Sequence, residues 1–207
     1  MGTRVAIHGA NGRLGQLIAA EAGDDYTGAV SSGGDIPDAD VIIDVTSPEG
    51  LTALLQQLTD QPLLIGTTGT LPLDAIEAYS QHAPVAIVPN FPAGVPLLLD
   101  LIQKAVSAMP DDWSVEVIEA HHDQKKDAPS GTAKRMIRAV EEAGGSADTP
   151  AHAIRAGDTI GEHTIWLSGP GERLELKHVA TRRAVFAIGA LRWASWLKAQ
   201  PPGLYRP

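Results

Sequence analysis

The first half of the chain alternates short apolar blocks with glycine turns and helical patterns. Arg4-Val5-Ala6-Ile7-His8 is an apolar run ending in Gly9-Ala10-Asn11-Gly12-Arg13-Leu14-Gly15, after which Leu14, Leu17 and Ile18 share one helical face. Strands are expected at Thr27–Val30 and Val41–Val45, the second a continuous β-branched run suited to the middle of a parallel sheet. The link between them is too short for a helical crossover, so a loop or single turn is expected there. Ser47-Pro48-Glu49 opens a helix reaching Leu58, with Ser47 as cap and Pro48 in the favoured first position. A strand over Pro62–Ile65 runs into Gly66-Thr67-Thr68-Gly69; a helix over Leu73–Gln81 and a strand over Val85–Val88 follow, ending in Pro89-Asn90-Phe91. Strands alternating with helices predict an α/β Rossmann-type fold, a parallel doubly wound sheet.

After Phe91 the pattern changes. An apolar helix over Ala93–Met109 precedes Trp113–Ile118, which alternates like a half-buried strand. Glu119 to Ser130 reads as a loop, because Asp127-Ala128-Pro129 cannot continue a strand or a helix interior. A helical pattern over Ala133–Ala143 ends at Gly144-Gly145-Ser146; strands are expected at His163–Ser168 and Arg173–Val179, around Gly169-Pro170-Gly171, and a last helix at Ala184–Leu197. Tight glycine turns between strands predict a second, α+β domain with a mixed or antiparallel sheet. The expected division is residues 1–92 plus 183–207 as one domain and 93–182 as the other.

Composition narrows the classes of function. The 207 residues include no cysteine, which excludes disulfides, thiolate metal sites and cysteine nucleophiles. A net charge of −9 argues against nucleic-acid binding. No apolar stretch is long enough for a membrane span, and the first apolar run is too short for a signal-peptide core, so a cytoplasmic protein is expected. Between Arg13 and Lys104 there is no lysine or arginine. An anionic small molecule would therefore be recruited by the second half.

That half carries the densest chemistry. His121, His122, Lys125 and Lys126 stand within a few positions of Ser130-Gly131-Thr132, where Ser130 is placed to cap the following helix. Amides at a helix start bind anions, so the stretch reads as a pocket that holds a carboxylate and delivers a proton. A zinc site is not expected, since adjacent histidines lack helical ligand spacing and no further ligand set accompanies them. For His163 and His178, in strand-like runs, local ordering by hydrogen bonds is the expected role. Upstream, Gly9, Gly12 and Gly15 give the strand, glycine turn and helix of a dinucleotide site, although a tight turn without a ligand fits the same spacing. Where an NAD site commonly places an acid, this chain has Ser31-Ser32-Gly33-Gly34, which leaves NADPH and NADH both open.

Seven segments recur together in one known family: GANGRLG at 9–15, DVTSPEG at 44–50, GTTG at 66–69, NF at 90–91, EAHHDQKKDAPSGTA at 119–133, RAGDTIGEH at 155–163 and ERLELKHVATRRAVFAIGAL at 172–191. In their order and coverage the chain resembles the dihydrodipicolinate reductases of lysine and diaminopimelate biosynthesis. The resemblance implies reduction of a cyclic dicarboxylate imine, dihydrodipicolinate, by NADPH or NADH to tetrahydrodipicolinate. It implies His121 as general acid with Lys125 as its partner, and His122, Ser130, Gly131, Thr132 and Arg183 as holders of the substrate carboxylates. It assigns the pyrophosphate turn to Gly9, Asn11, Gly12, Arg13 and Leu14. The remaining cofactor contacts would be Ser32, Gly66, Thr67 and Thr68, with Val88, Pro89, Asn90 and Phe91. It further implies a homotetramer built through the second domain. The chain departs from the family in being short between Val30 and Val41 and in surrounding Asn90 with Pro89, Pro92 and Pro96. Two other readings share these features: a dehydrogenase of another small dicarboxylate, and a nucleotide-sensing homologue without turnover. The set of His121, His122, Lys125 and Ser130-Gly131-Thr132 favours catalysis, because a sensor has no use for a proton donor beside a dianion pocket.

Overall fold

The computed structural model describes residues 2–31 and 33–206. The expected cofactor contact Ser32 lies outside the described residues. The chain divides into two compact units, residues up to Pro92 together with those from Ala184 onward, and Ala93–Arg183.

The first unit begins β1 (Val5–His8), α1 (Arg13–Ala22), β2 (Tyr26–Val30), β3 (Val41–Asp44), α2 (Pro48–Leu55), β4 (Leu63–Ile65), α3 (Leu73–Ser80) and β5 (Pro84–Ile87). Every residue of β1, β3 and β4 is buried, as expected of central parallel strands covered on both faces. Successive side chains feed opposite layers. Val5, Ile7, Val41, Ile43 and Leu64 join one apolar cluster, whereas Ala6, Ile42, Leu63 and Ile65 join the other with Leu51, Leu54 and Ile76 of α2 and α3. Each fully buried isoleucine or leucine contributes about 1.5–3 kcal/mol, so this two-sided alternation sets the register firmly.

Helix α2 starts as expected, with the Ser47 side chain accepting from the Gly50 amide at 3.2 Å. It stops at Leu55, short of Leu58. Leu58 is still buried, so its place in the apolar period reflects core packing after the helix has relaxed into a turn. Among the described residues no helix joins β2 to β3, which agrees with the short link.

The second unit contains α4 (Gly94–Ala108), β6 (Ser114–His121), α5 (Gly131–Glu142), β7 (Ala151–Arg155), β8 (Glu162–Gly169) and β9 (Glu172–Val179). Its sheet runs β7-β6-β8-β9 and is mixed: β7 is parallel to β6, and β8 is antiparallel to both β6 and β9. Leu98 and Ile102 of α4, and Met136 and Val140 of α5, pack with Val117 and Ile165 of the sheet. One expectation needs correction here. Strand β6 does not end at Ile118 but continues through Glu119, Ala120 and His121, because pairing to both β7 and β8 satisfies its backbone. Strand β7 leaves no mark in the apolar pattern, since its residues are largely exposed.

The chain then returns to the first unit with α6 (Ala184–Leu197) and β10 (Gly203–Tyr205). Ala187, Ala190, Ala194 and Leu197 of α6 pack into the cluster that contains Ile7 and Ile18. The tail strand β10, too short to show a period, pairs parallel with β5 and completes the order β10-β5-β4-β3-β1-β2.

Candidate active site

In the first unit, candidate nucleotide contacts gather where parallel strands end. Gly9 has φ of +93°, and a Cβ there would stand 2.9 Å from Val45 O. A Cβ on Gly15 would lie 2.1 Å from Gly9 O, so the helix can approach the turn this closely only without a side chain. Gly12 caps α1 with no side-chain hydrogen bond, and the exposed Asn11 and Arg13 flank it, with Leu14 packed inward. Backbone amides at an uncapped helix head above a glycine turn suit a pyrophosphate. These residues fit a dinucleotide.

The neighbouring turn is held from beneath. Asp44, fully buried at the end of β3, meets His8 Nδ1 at 2.7 Å and accepts from Thr46 Oγ1 at 2.7 Å. Thr67 Oγ1 donates to Asp44 Oδ2 and accepts from the Thr46 amide at 2.9 Å. Thr67 is therefore turned inward, whereas Thr68 is exposed. Phe91 lies against Gly66: a Cβ there would come within 2.3 Å of Phe91 Cζ. Val88 is buried, its amide bonded to Ile65 O at 2.8 Å, and leads through exposed Pro89 to the partly exposed Asn90.

In the second unit, β6 delivers His121 and the loop delivers the rest. Glu119 and His121 are two apart and thus on one face of the strand. Glu119 is completely buried; its Oε2 meets His121 Nδ1 at 2.5 Å and Arg155 Nη1 at 2.9 Å, and its Oε1 takes Arg155 Nη2 at 2.7 Å and the Ser130 amide at 3.1 Å. Burial raises the Glu119 pKa, but hydrogen bonds from Arg155, His121 and Ser130 outweigh it and hold the carboxyl below its ordinary range. Burial pushes the His121 imidazole below its ordinary value, with Glu119 opposing and Lys125 and Arg155 adding to the fall.

Ser130 caps α5 as expected, its Oγ accepting from the Ala133 amide at 3.2 Å. Gly131 and Thr132 form the first turn of that helix, which begins two residues before the expected Ala133. The loop carries a cis Ala128–Pro129 bond. Lys125 Nζ pairs with Asp127 at 2.7 Å, and its amide bonds to the oxygen of His122 at 3.1 Å. His163 Nε2 lies 3.2 Å from Ser130 Oγ, and its ring centroid is 5.0 Å from that of His121. The expected ordering by hydrogen bonds holds for only that nitrogen. Nδ1 of His163 and Nδ1 of His178 are buried and meet no hydrogen-bond partner among the described residues. No metal-binding cluster of three or more histidine or carboxylate residues occurs among the described residues.

The model of the dihydrodipicolinate reductase N-terminus matches residues 30–91, and that of the dihydrodipicolinate reductase C-terminus matches residues 94–206. Together they span most of the chain. The chain belongs to the dihydrodipicolinate reductase family.

Relatives named 4-hydroxy-tetrahydrodipicolinate reductase agree. That of Alkalilimnicola ehrlichii is 37% identical over 99% of this chain and 97% of its own length. That of Pseudoalteromonas translucida is 38% identical over 87% of this chain and 76% of its own length. Among solved structures, dipicolinate-bound dihydrodipicolinate reductase from Paenisporosarcina sp. TG-14 shares the fold, with a TM-score of 0.77 and 23% identity over 100% of this chain and 98% of that one.

Within this reductase, one carboxylate gathers His121, Ser130 and Arg155. Arg183 stands exposed in the turn ahead of α6 and makes no ion pair among the described residues. Glu119 and Arg155 were not singled out in the sequence. A glutamate inside an alternating strand, at a position due to face the core, is the signal that marks Glu119. Arg155 opens one of the family segments, but nothing local to it marks Glu119 as its partner, which lies on another strand.

Proposed function

We propose that this reductase converts dihydrodipicolinate to tetrahydrodipicolinate, consuming NADPH or NADH. The observation that carries the reading is the buried Glu119–His121 pair beside the head of α5, a proton donor next to an anion-binding helix start. When bound, the nicotinamide supplies the hydride. The first unit's residues Gly9, Asn11, Gly12, Arg13 and Leu14 hold the pyrophosphate, while Gly66, Thr67, Thr68 and Val88 to Phe91 line the nicotinamide and ribose side. Within the second unit, Ser130, Gly131, Thr132, His122 and Arg183 bind the substrate's two carboxylates. His121 gives a proton to the carbon that becomes electron-rich on reduction, and Lys125 supports that delivery.

The same reading includes a homotetramer. Ile154, Ala120, Glu162 and Val179 form one row on the face of the mixed sheet opposite Val117 and Ile165. Ile154 and Val179 are exposed there, and Trp166 lies under Arg173 on the same face. Light scattering on the purified protein tests it, and a monomeric mass overturns it. The reading also places the reaction in the cytoplasm. No helix among the described residues is long and apolar enough to cross a membrane.

The decisive experiment mixes purified protein with freshly generated dihydrodipicolinate and each nicotinamide separately. Oxidation of NADPH or NADH is expected. No oxidation of either removes the assignment, and the ratio of rates decides the preferred cofactor.

A further inference from the structure

Four hydrogen bonds end on the two oxygens of Glu119, and together they specify which nitrogen of His121 carries its transferable proton. An ionised carboxylate can only accept, so His121 Nδ1, 2.5 Å from Glu119 Oε2, must be the donor of that bond. The neutral ring therefore has its lone pair on Nε2, and the charged ring carries its extra proton there. We propose that Glu119 and Arg155 are positioning residues that lock His121 in the Nδ1–H tautomer and present Nε2 as the proton-donating edge, which Gly161 keeps open. The inference rests on His121 being the acid of the reaction.

The geometry around the pair supports each part. Arg155 comes from β7, directly opposite His121 in the register, and its fork spans both Glu119 oxygens. It also donates to Ile154 O at 2.7 Å and Asp127 O at 2.6 Å, so the guanidinium cannot swing away without breaking the loop's attachment. With one cation fixed on it, Glu119 has no need to take a proton from the ring. The Ser130 amide fills the last place on Oε1, so the same carboxylate sets the position of the α5 head relative to His121. At the other edge of the ring, a Cβ on Gly161 would sit 3.3 Å from Nε2 and 3.5 Å from Cδ2. A methyl group at 161 would press on the atom that must meet substrate and make the ring give by a few tenths of an ångström.

The proton balance is simple. The Nε2–H bond breaks, the proton goes to the substrate carbon, and the bonding pair returns to the ring as the Nε2 lone pair. Glu119 stays ionised throughout and Nδ1–H stays in place. Solvent restores the Nε2 proton before the next turnover.

Two-bond proton–nitrogen NMR of the full-length, nitrogen-labelled protein reads the tautomer directly. His121 is expected as Nδ1–H when neutral; an Nε2–H tautomer overturns the inference. In Glu119→Gln the lost charge removes support for the imidazolium. The alkaline limb of the kcat/KM profile should move to lower pH by about one unit, with kcat falling roughly tenfold or more. A limb that stays in place while only stability drops shows a structural role and overturns the proposal. Should Glu119→Gln fail to fold, Gly161→Ala tests the other edge: kcat should fall with Nδ1–H retained, and an unchanged kcat overturns the open-edge claim. His121→Gln keeps the two readings apart. Unchanged kcat there defeats His121 as the acid, whereas a wrong tautomer beside a large kcat loss defeats only the lock.

Discussion

Thr67 Oγ1 donates to Asp44 Oδ2 across 2.5 Å, tying the turn after β4 to the end of β3. Asp44 is completely buried, and its other oxygen serves His8 and Thr46. The turn that the family resemblance assigns to the nicotinamide thus rests on a carboxylate that no ligand need touch. Asp44→Ala leaves these groups without their acceptor at the end of β3. It should cost about 3 kcal/mol of stability and weaken dinucleotide binding. Urea unfolding and calorimetric titration with NADPH and NADH measure the two effects, and wild-type values in both would remove the anchoring role.

A methyl group at Gly15 has nowhere to go. Its Cβ would meet the Gly9 carbonyl at 2.1 Å, a backbone atom that moves only with the whole turn. Gly15→Ala should destabilise the protein by about 1–3 kcal/mol and raise the Kd for either dinucleotide. Binding measured by cofactor fluorescence tests this, and an unaltered Kd would mean that the turn does not hold the pyrophosphate.

His121→Gln should lower kcat by roughly a hundredfold or more while leaving KM nearly unchanged, because the proton is needed in the transition state. Steady-state kinetics at saturating cofactor provides the comparison.

Arg183 should behave in the opposite way. Exposed and without an ion pair among the described residues, it has a charge available for a substrate carboxylate. Arg183→Ala is expected to raise the substrate KM about tenfold or more with a smaller change in kcat. The same change at Arg182 should do much less; equal effects would leave neither arginine as the anchor.

His163 gives the fold a pH dependence. Burial, with charge on His121, His178 and Lys125 adding to it and Glu119 opposing, lowers its pKa from 6.5 to about 4. The unfolded chain then binds the proton more readily than the folded one. Stability contributed by keeping this ring neutral is full above pH 6.5 and is lost as pH falls towards 4. The loss is on the order of 3 kcal/mol and levels off below the folded value. Glu119, whose folded pKa is lowered, adds a separate loss as pH falls below its ordinary value of 4.5. Unfolding free energies measured between those limits should show this slope, to which His121 and His178, both lowered by burial, add in the same direction, and His163→Gln should reduce it.

Much of this is legible in the sequence. Continuous apolar runs at Val5–Ile7, Val41–Ile43 and Leu63–Ile65, each bounded by turn residues, read as central strands, because a parallel sheet covered on both faces buries every residue of so short a segment. Ser130 as a cap and Gly9 as a turn residue follow from local chemistry, as one side-chain oxygen and one missing Cβ act within a few residues. What the sequence could not disclose depends on pairing between distant strands. Glu119 to His121 became strand because β7 and β8 satisfy their backbone, and Glu119 became an ionised buried anchor because Arg155, 36 positions later, is brought beside it. The chemical types of the site residues were settled by the sequence. Their protonation, tautomer and aim were decided by which neighbours the tertiary fold supplied, since desolvation and hydrogen bonding act only between groups already packed together.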